Sequence, residues 1–200
     1  MGGIVTESSR RRSTAHHEAA HAITAASLGA TLNTVFLADD SDSEGGAPVQ
    51  WAEGPGPSRR RKIIQTAAAG PFGELKFLAR SDWGEVRFDH TDPLEGVIGI
   101  IRSGELEDFI SIPVRFVTHD RQSRPLVVTD WNAVGDFQRL YHLASEWDDA
   151  QLFDILDRTR RLLDRREAWD AVSHLAELLH RNGQVDGDGV VAVLKQFGLV

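Results

Sequence analysis

Cysteine is absent from the 200 residues, which excludes disulfides and every thiolate metal site at once. A chain without thiols suits a reducing compartment, so the expected location is the cytoplasm. No stretch approaches the ~20 consecutive apolar residues that span a bilayer. The basic residues near the start have no apolar run behind them, so neither a membrane anchor nor a signal peptide is expected. An excess of positive charge is also missing. The formal net charge is −8, which argues against nucleic acid as a partner. Two local exceptions, Arg10-Arg11-Arg12 and Arg59-Arg60-Arg61-Lys62, each adjoin a helix start. They read as solvated side chains, with an anionic partner surface as the alternative. No Walker-type Gly-rich loop is present, so the chain has no means of its own to drive unfolding with ATP.

What is present is chemistry on one helix. Residues 16–22 read His16-His17-Glu18-Ala19-Ala20-His21-Ala22 and contain a His-Glu-x-x-His spacing. Positions i and i+4 of an α-helix share a face one turn apart, so two imidazoles there can share a metal. Glu18, offset along the same turn, can reach a water held by that metal without being a ligand itself. Ser13 or Thr14 is expected to cap this helix and Gly29 to end it. Between them Ala15, Ala19, Ala20, Ala22, Ile23, Ala25, Ala26 and Leu28 make it small and apolar. A solvated helix would carry charged residues on its free face. These histidines are therefore expected to be buried, and buried polar groups need partners.

The rest of the pattern is mainly helical with a small β-sheet, an α+β chain. Residues 1–12 read as a flexible leader and 13–200 as a single domain whose C-terminal helical part covers 130–197. Strands are expected at 31–37 and 47–52, the second an edge strand because of Pro48. A helix follows from Ser58 to about Arg80, interrupted at Gly70-Pro71. A short helix after Pro93 and a hairpin from 111–118 and 125–129 come next. Helices close the chain at 131–145, 148–164, 167–181 and 187–197.

A catalytic zinc takes three protein ligands and keeps a fourth position open. The third ligand candidates are Glu74, Asp89, His90, Asp92 and Asp130. Glu74 follows the small-residue run Ala67-Ala68-Ala69-Gly70, which can pack closely on the motif helix. Glu74 then serves as a ligand or as a partner orienting an imidazole. Asp92 and Asp130 each sit at a helix start. Asp130 is preferred because the helix after it has the better packed face: Trp131, Val134, Phe137, Leu140 and Tyr141.

The run Ser13–Ala22 resembles the peptidase domain of FtsH-type ATP-dependent zinc proteases, which carry His-Glu-Ala-Gly-His-Ala; Ala20 stands where the family has glycine. Ala69-Gly70-Pro71-Phe72-Gly73-Glu74-Leu75 is similar to that family's small-residue helix ending in Ala-Glu-Glu-Leu. The segment from Trp169 to Gly187 looks like its closing helices. The resemblance covers about 13–80 and 130–197. It implies an FtsH-peptidase-like helical domain with Zn²⁺ as cofactor, held by His17, His21 and a helix-start aspartate: Asp130 by continuity with the tail, Asp92 by its shorter distance from the motif. It also implies a zinc metalloendopeptidase that hydrolyses peptides or unfolded protein, with Glu18 as general base. The family's AAA+ module and membrane anchor are not in the chain, so a separate ATPase is an implied partner and oligomerisation stays open. The alternative is a non-catalytic interaction module on a degenerate peptidase scaffold with structural zinc.

Overall fold

The computed structural model describes residues 7–38, 45–80, 85–88, 93–103, 113–117, 123–127 and 134–200. Helices dominate: α1 (Glu7–Ser27), α2 (Pro57–Arg80), α3 (Pro93–Ser103), α4 (Val134–Ala144), α5 (Asp149–Asp164), α6 (Arg166–Asn182) and α7 (Gly187–Gln196). The strands are short: β1 (Ala30–Leu32), β2 (Thr34–Phe36), β3 (Val49–Trp51), β4 (Glu85–Phe88), β5 (Pro113–Val117), β6 (Ser123–Val127) and β7 (Gln184–Asp186). All pairing among them is antiparallel, β1 with β3, β2 with β7, and β4-β5-β6 as a set. The mainly helical α+β expectation holds. None of the described helices is long and apolar enough to cross a membrane.

Several boundaries differ from the expectation. The first helix begins at Glu7, so residues 7–12 of the expected leader are helical. Nothing between Glu7 and Arg12 breaks a helix, and arginine is a good helix former. Ser13 is therefore interior rather than a cap, and its hydroxyl is used elsewhere. Gly29 does end the helix, at φ 88, a conformation glycine adopts without strain. The expected strand 31–37 divides at Asn33, whose carbonyl accepts from Gly187 N at 2.8 Å. Its two halves then serve different partners, β3 and β7. Helix α2 runs on through Gly70-Pro71 as one element. The hairpin pairing of β5 with β6 was anticipated; strands β4 and β7 were not, being three or four residues long, too short for an alternating pattern to show.

Two apolar clusters lie on either side of α2. One gathers Ala15, Ala19 and Ile23 of α1 with Val172, Leu175 and Leu179 of α6, Val190 and Leu194 of α7, and Ala69. The other joins Ile64, Ala68 and Leu75 of α2 to Ile101, Phe137, Leu140, Leu152 and Leu156. Helices α1 and α2 approach through their smallest residues. A methyl group on Gly73 would lie 2.4 Å from the Ala20 Cβ and 3.1 Å from the His16 carbonyl, closer than atoms can pack. That close approach places the polar groups of the two helices within bonding distance of one another.

Candidate metal centre

His17 and His21 project from one face of α1 toward α2, and each is buried, at 2% and 8% exposure. Both rings are pinned at Nδ1. His17 Nδ1 lies 3.1 Å from Glu74 Oε2, and Glu74 Oε1 accepts from the Ser13 hydroxyl at 2.8 Å. His21 Nδ1 lies 2.6 Å from the carbonyl oxygen of Thr66. A carbonyl only accepts, so this nitrogen carries its proton and His21 Nε2 points away with its lone pair. Glu74 thus takes the orienting role expected of it.

The two Nε2 atoms face each other at 3.1 Å. The carboxylate they meet is Asp136, in the first turn of α4, with Oδ2 2.8 Å from His17 Nε2 and 3.0 Å from His21 Nε2. Two imidazole nitrogens and a carboxylate oxygen all aimed at one point repel each other unless a cation lies between them, either a proton or a metal ion. This nitrogen-and-oxygen set, with second partners already fixed on the imidazoles, fits zinc. Among the described residues, His17, His21 and Asp136 form the group able to hold an ion.

The protonation balance agrees. Burial opposes charge on His17, but hydrogen bonds to Asp136 and Glu74 outweigh it and hold its pKa at about 10. His21 is likewise disfavoured by burial and raised on balance by the Asp136 charge. Burial would raise Asp136, yet the two imidazoles hold its carboxyl well below the usual carboxylate range. In the metal-free protein, then, a proton holds the place of the cation. His16, next in sequence, takes no part: its Nδ1 donates to the Arg12 carbonyl and its ring stacks on Phe77 at 4.0 Å.

Of the expected third ligands, Asp130, Asp92, Asp89 and His90 lie outside the described residues. Asp136 was not among the candidates. A signal for it existed: it precedes Phe137 and stands four residues before Leu140, both core positions, so the apolar pattern turns a carboxylate toward the interior.

Gly70 is the reason the rings fit. A Cβ at this position would fall 2.3 Å from His21 Nε2 and 2.6 Å from His17 Nε2. The rings cannot retreat, because Glu74 and the Thr66 carbonyl hold them from the other side. Were zinc held between the rings, Gly70→Ala would be expected to lower its affinity by roughly the 10–100-fold typical of disturbing an outer partner. It should also cost about 1–3 kcal/mol of overpacking. Competition against a chromophoric chelator and thermal unfolding measure the two effects.

The site opens into a cleft of about 340 Å³. It is lined by His17, Glu18, His21 and Asp136, by Gly45–Ala47 with Val49 and Trp51 of β3, by Arg59, Ile63, Thr66 and Ala67 of α2, and by Gly135 and Arg139. Glu18 is buried at 5% exposure and fits there because position 45 lacks a side chain: a Cβ on Gly45 would meet Glu18 Cγ at 2.7 Å. No protein-family model and no curated protein sequence matches this chain.

Proposed function

We propose that this chain is a zinc-dependent metallopeptidase of FtsH-peptidase-like type, acting on peptides or unfolded protein. The observation that carries the reading is the convergence of His17, His21 and Asp136 on one point, with Glu18 buried beside them in the same cleft. Those three residues would hold the ion. Zinc bound there would act as a Lewis acid toward a scissile carbonyl and acidify water at neutral pH.

The protein's own groups have distinct tasks. Glu18 accepts a proton from the attacking water and returns it to the leaving amine, so a single carboxylate serves both half-steps. Glu74 and the Thr66 carbonyl fix the tautomer and direction of the imidazoles. Strand β3 pairs with β1 on one side, and no strand pairs with its other edge among the described residues. An extended peptide adding there would lie across the cleft with its carbonyls presented to the site. Ala20, where the resembling motif has glycine, is accommodated because Gly73 stands opposite it.

The test is cleavage of a casein-type unfolded protein and a mixed peptide library by protein loaded with one equivalent of zinc. Cleavage is expected, lost on chelation and restored by zinc. Full zinc occupancy without any cleavage would instead make the chain a non-catalytic module.

A further inference from the structure

The run Arg59-Arg60-Arg61-Lys62 looks uniform in sequence, but its members are used differently. Arg60 pairs with Glu146, and Lys62 pairs with Glu53. Arg61 lies over the Trp147 ring at 5.0 Å. Arg59 alone among these four lines the cleft. It has no carboxylate partner among the described residues; its one contact is a 3.4 Å bond from Nη1 to the Glu53 carbonyl. Its Nε is buried without a hydrogen-bond partner. It also sits in the first turn of α2, where no acidic residue is present and where the helix dipole disfavours a cation. A cation at the positive end of a helix, without a carboxylate partner, is a cost that an anion bound at the exposed end of its guanidinium would offset.

Arg139, one turn beyond Asp136 on α4, also lines the cleft and has no ion pair among the described residues. On α2, Ile63 lies between Arg59 and Thr66, so that face of the helix is apolar between Arg59 and the metal centre. The face of α2 therefore runs from Thr66, which touches His21, through Ile63 to Arg59. Seven residues of helix span ~10 Å, the length of about three residues of extended peptide.

We propose that the cleft selects substrates bearing a carboxylate within about three residues of the bond cut, read by Arg59, with an apolar residue between. This rests on the peptidase reading for the word "cut", though not for the binding. The carboxylate can belong to an Asp or Glu side chain or to the substrate's C-terminus. Guanidinium groups in a partly desolvated cleft recognise either by paired, charge-assisted hydrogen bonds.

The experiment uses octapeptides in which one Glu is moved along an otherwise neutral sequence, each made with a free and an amidated C-terminus, beside Gln-for-Glu controls. Binding is read by fluorescence anisotropy on the Glu18→Gln protein, and cleavage by mass spectrometry on the zinc-loaded wild type. The Glu peptide, or the free-acid peptide, is expected to bind at least about tenfold more tightly than its neutral counterpart. The same preference should appear in kcat/KM. Arg59→Gln should bring the ratio to near unity, and Arg59→Glu should reverse it in favour of a Lys peptide, which no merely unfolded variant can do. Equal binding of acidic and neutral peptides overturns the inference, whether or not the wild type cleaves. Arg59-dependent preference without cleavage supports the inference and sinks the peptidase reading instead.

Discussion

Glu18→Gln is expected to reduce kcat for peptide hydrolysis by about 10²–10⁴-fold, the contribution usual for a positioned general base, while zinc remains bound. The substitution keeps the shape of the side chain, so its contact with Gly45 survives. It removes only the ability to take up a proton. Glu18 is outside the convergent set of His17, His21 and Asp136, and none of the hydrogen bonds that orient the two rings comes from it. Metal stoichiometry should therefore stay at wild-type level. Joint loss of zinc and activity would make Glu18 a ligand, and retained activity would remove it from the mechanism.

The second large effect is expected at Asp136. Asp136→Ala removes the only carboxylate among the described residues that touches both Nε2 atoms, so zinc affinity should fall by more than the roughly 10–100-fold that follows loss of an outer partner. Hydrolysis should disappear with it. The same replacement at Asp130 or Asp92 is expected to leave zinc bound, and metal analysis of the three variants side by side identifies the ligand. The metal-free proteins differ as well. The His17 pKa is raised in the fold from its ordinary 6.5 to about 10. Its contribution to stability is thus fully present below pH 6.5 and is lost as pH rises through about 10. The span of the shift puts that contribution at a few kcal/mol, by order of magnitude. Denaturant unfolding of metal-free wild type should show stability falling across that window. Asp136→Ala should show it largely flattened.

The site was legible wherever helical spacing dictates geometry. His17, Glu18 and His21 are separated by fixed turns of one helix, and the alanines around them announce a buried face. The same logic carried Glu74: a run of small residues followed by one acid predicts close approach and then a polar contact. The aspartate was not legible in this way, because which acid near a helix start meets a distant helix is set by tertiary contact rather than by spacing. Asp130, preferred for its place before an expected helix from 131, lies outside the described residues; α4 is described from Val134, with Asp136 in its first turn. The division of 31–37 into two strands was hidden for a related reason. A bend at Asn33 is stabilised by a hydrogen bond to Gly187, 154 positions away in the chain, beyond the reach of local pattern. Arg59 illustrates the opposite limit: four adjacent cations are equivalent in sequence, and only the direction each takes around the helix axis separates the one lining the cleft from the other three.

The junction of His17 with Asp136 joins positions 119 residues apart. In a chain that has no cysteine, an ion held there is the nearest thing to a cross-link. In the chain-entropy account, closing a loop of that size restricts the unfolded ensemble by about 4–5 kcal/mol. Unlike a disulfide, the tie would last only while the ion stays, so resistance to unfolding would follow the supply of metal rather than the redox state of the surroundings.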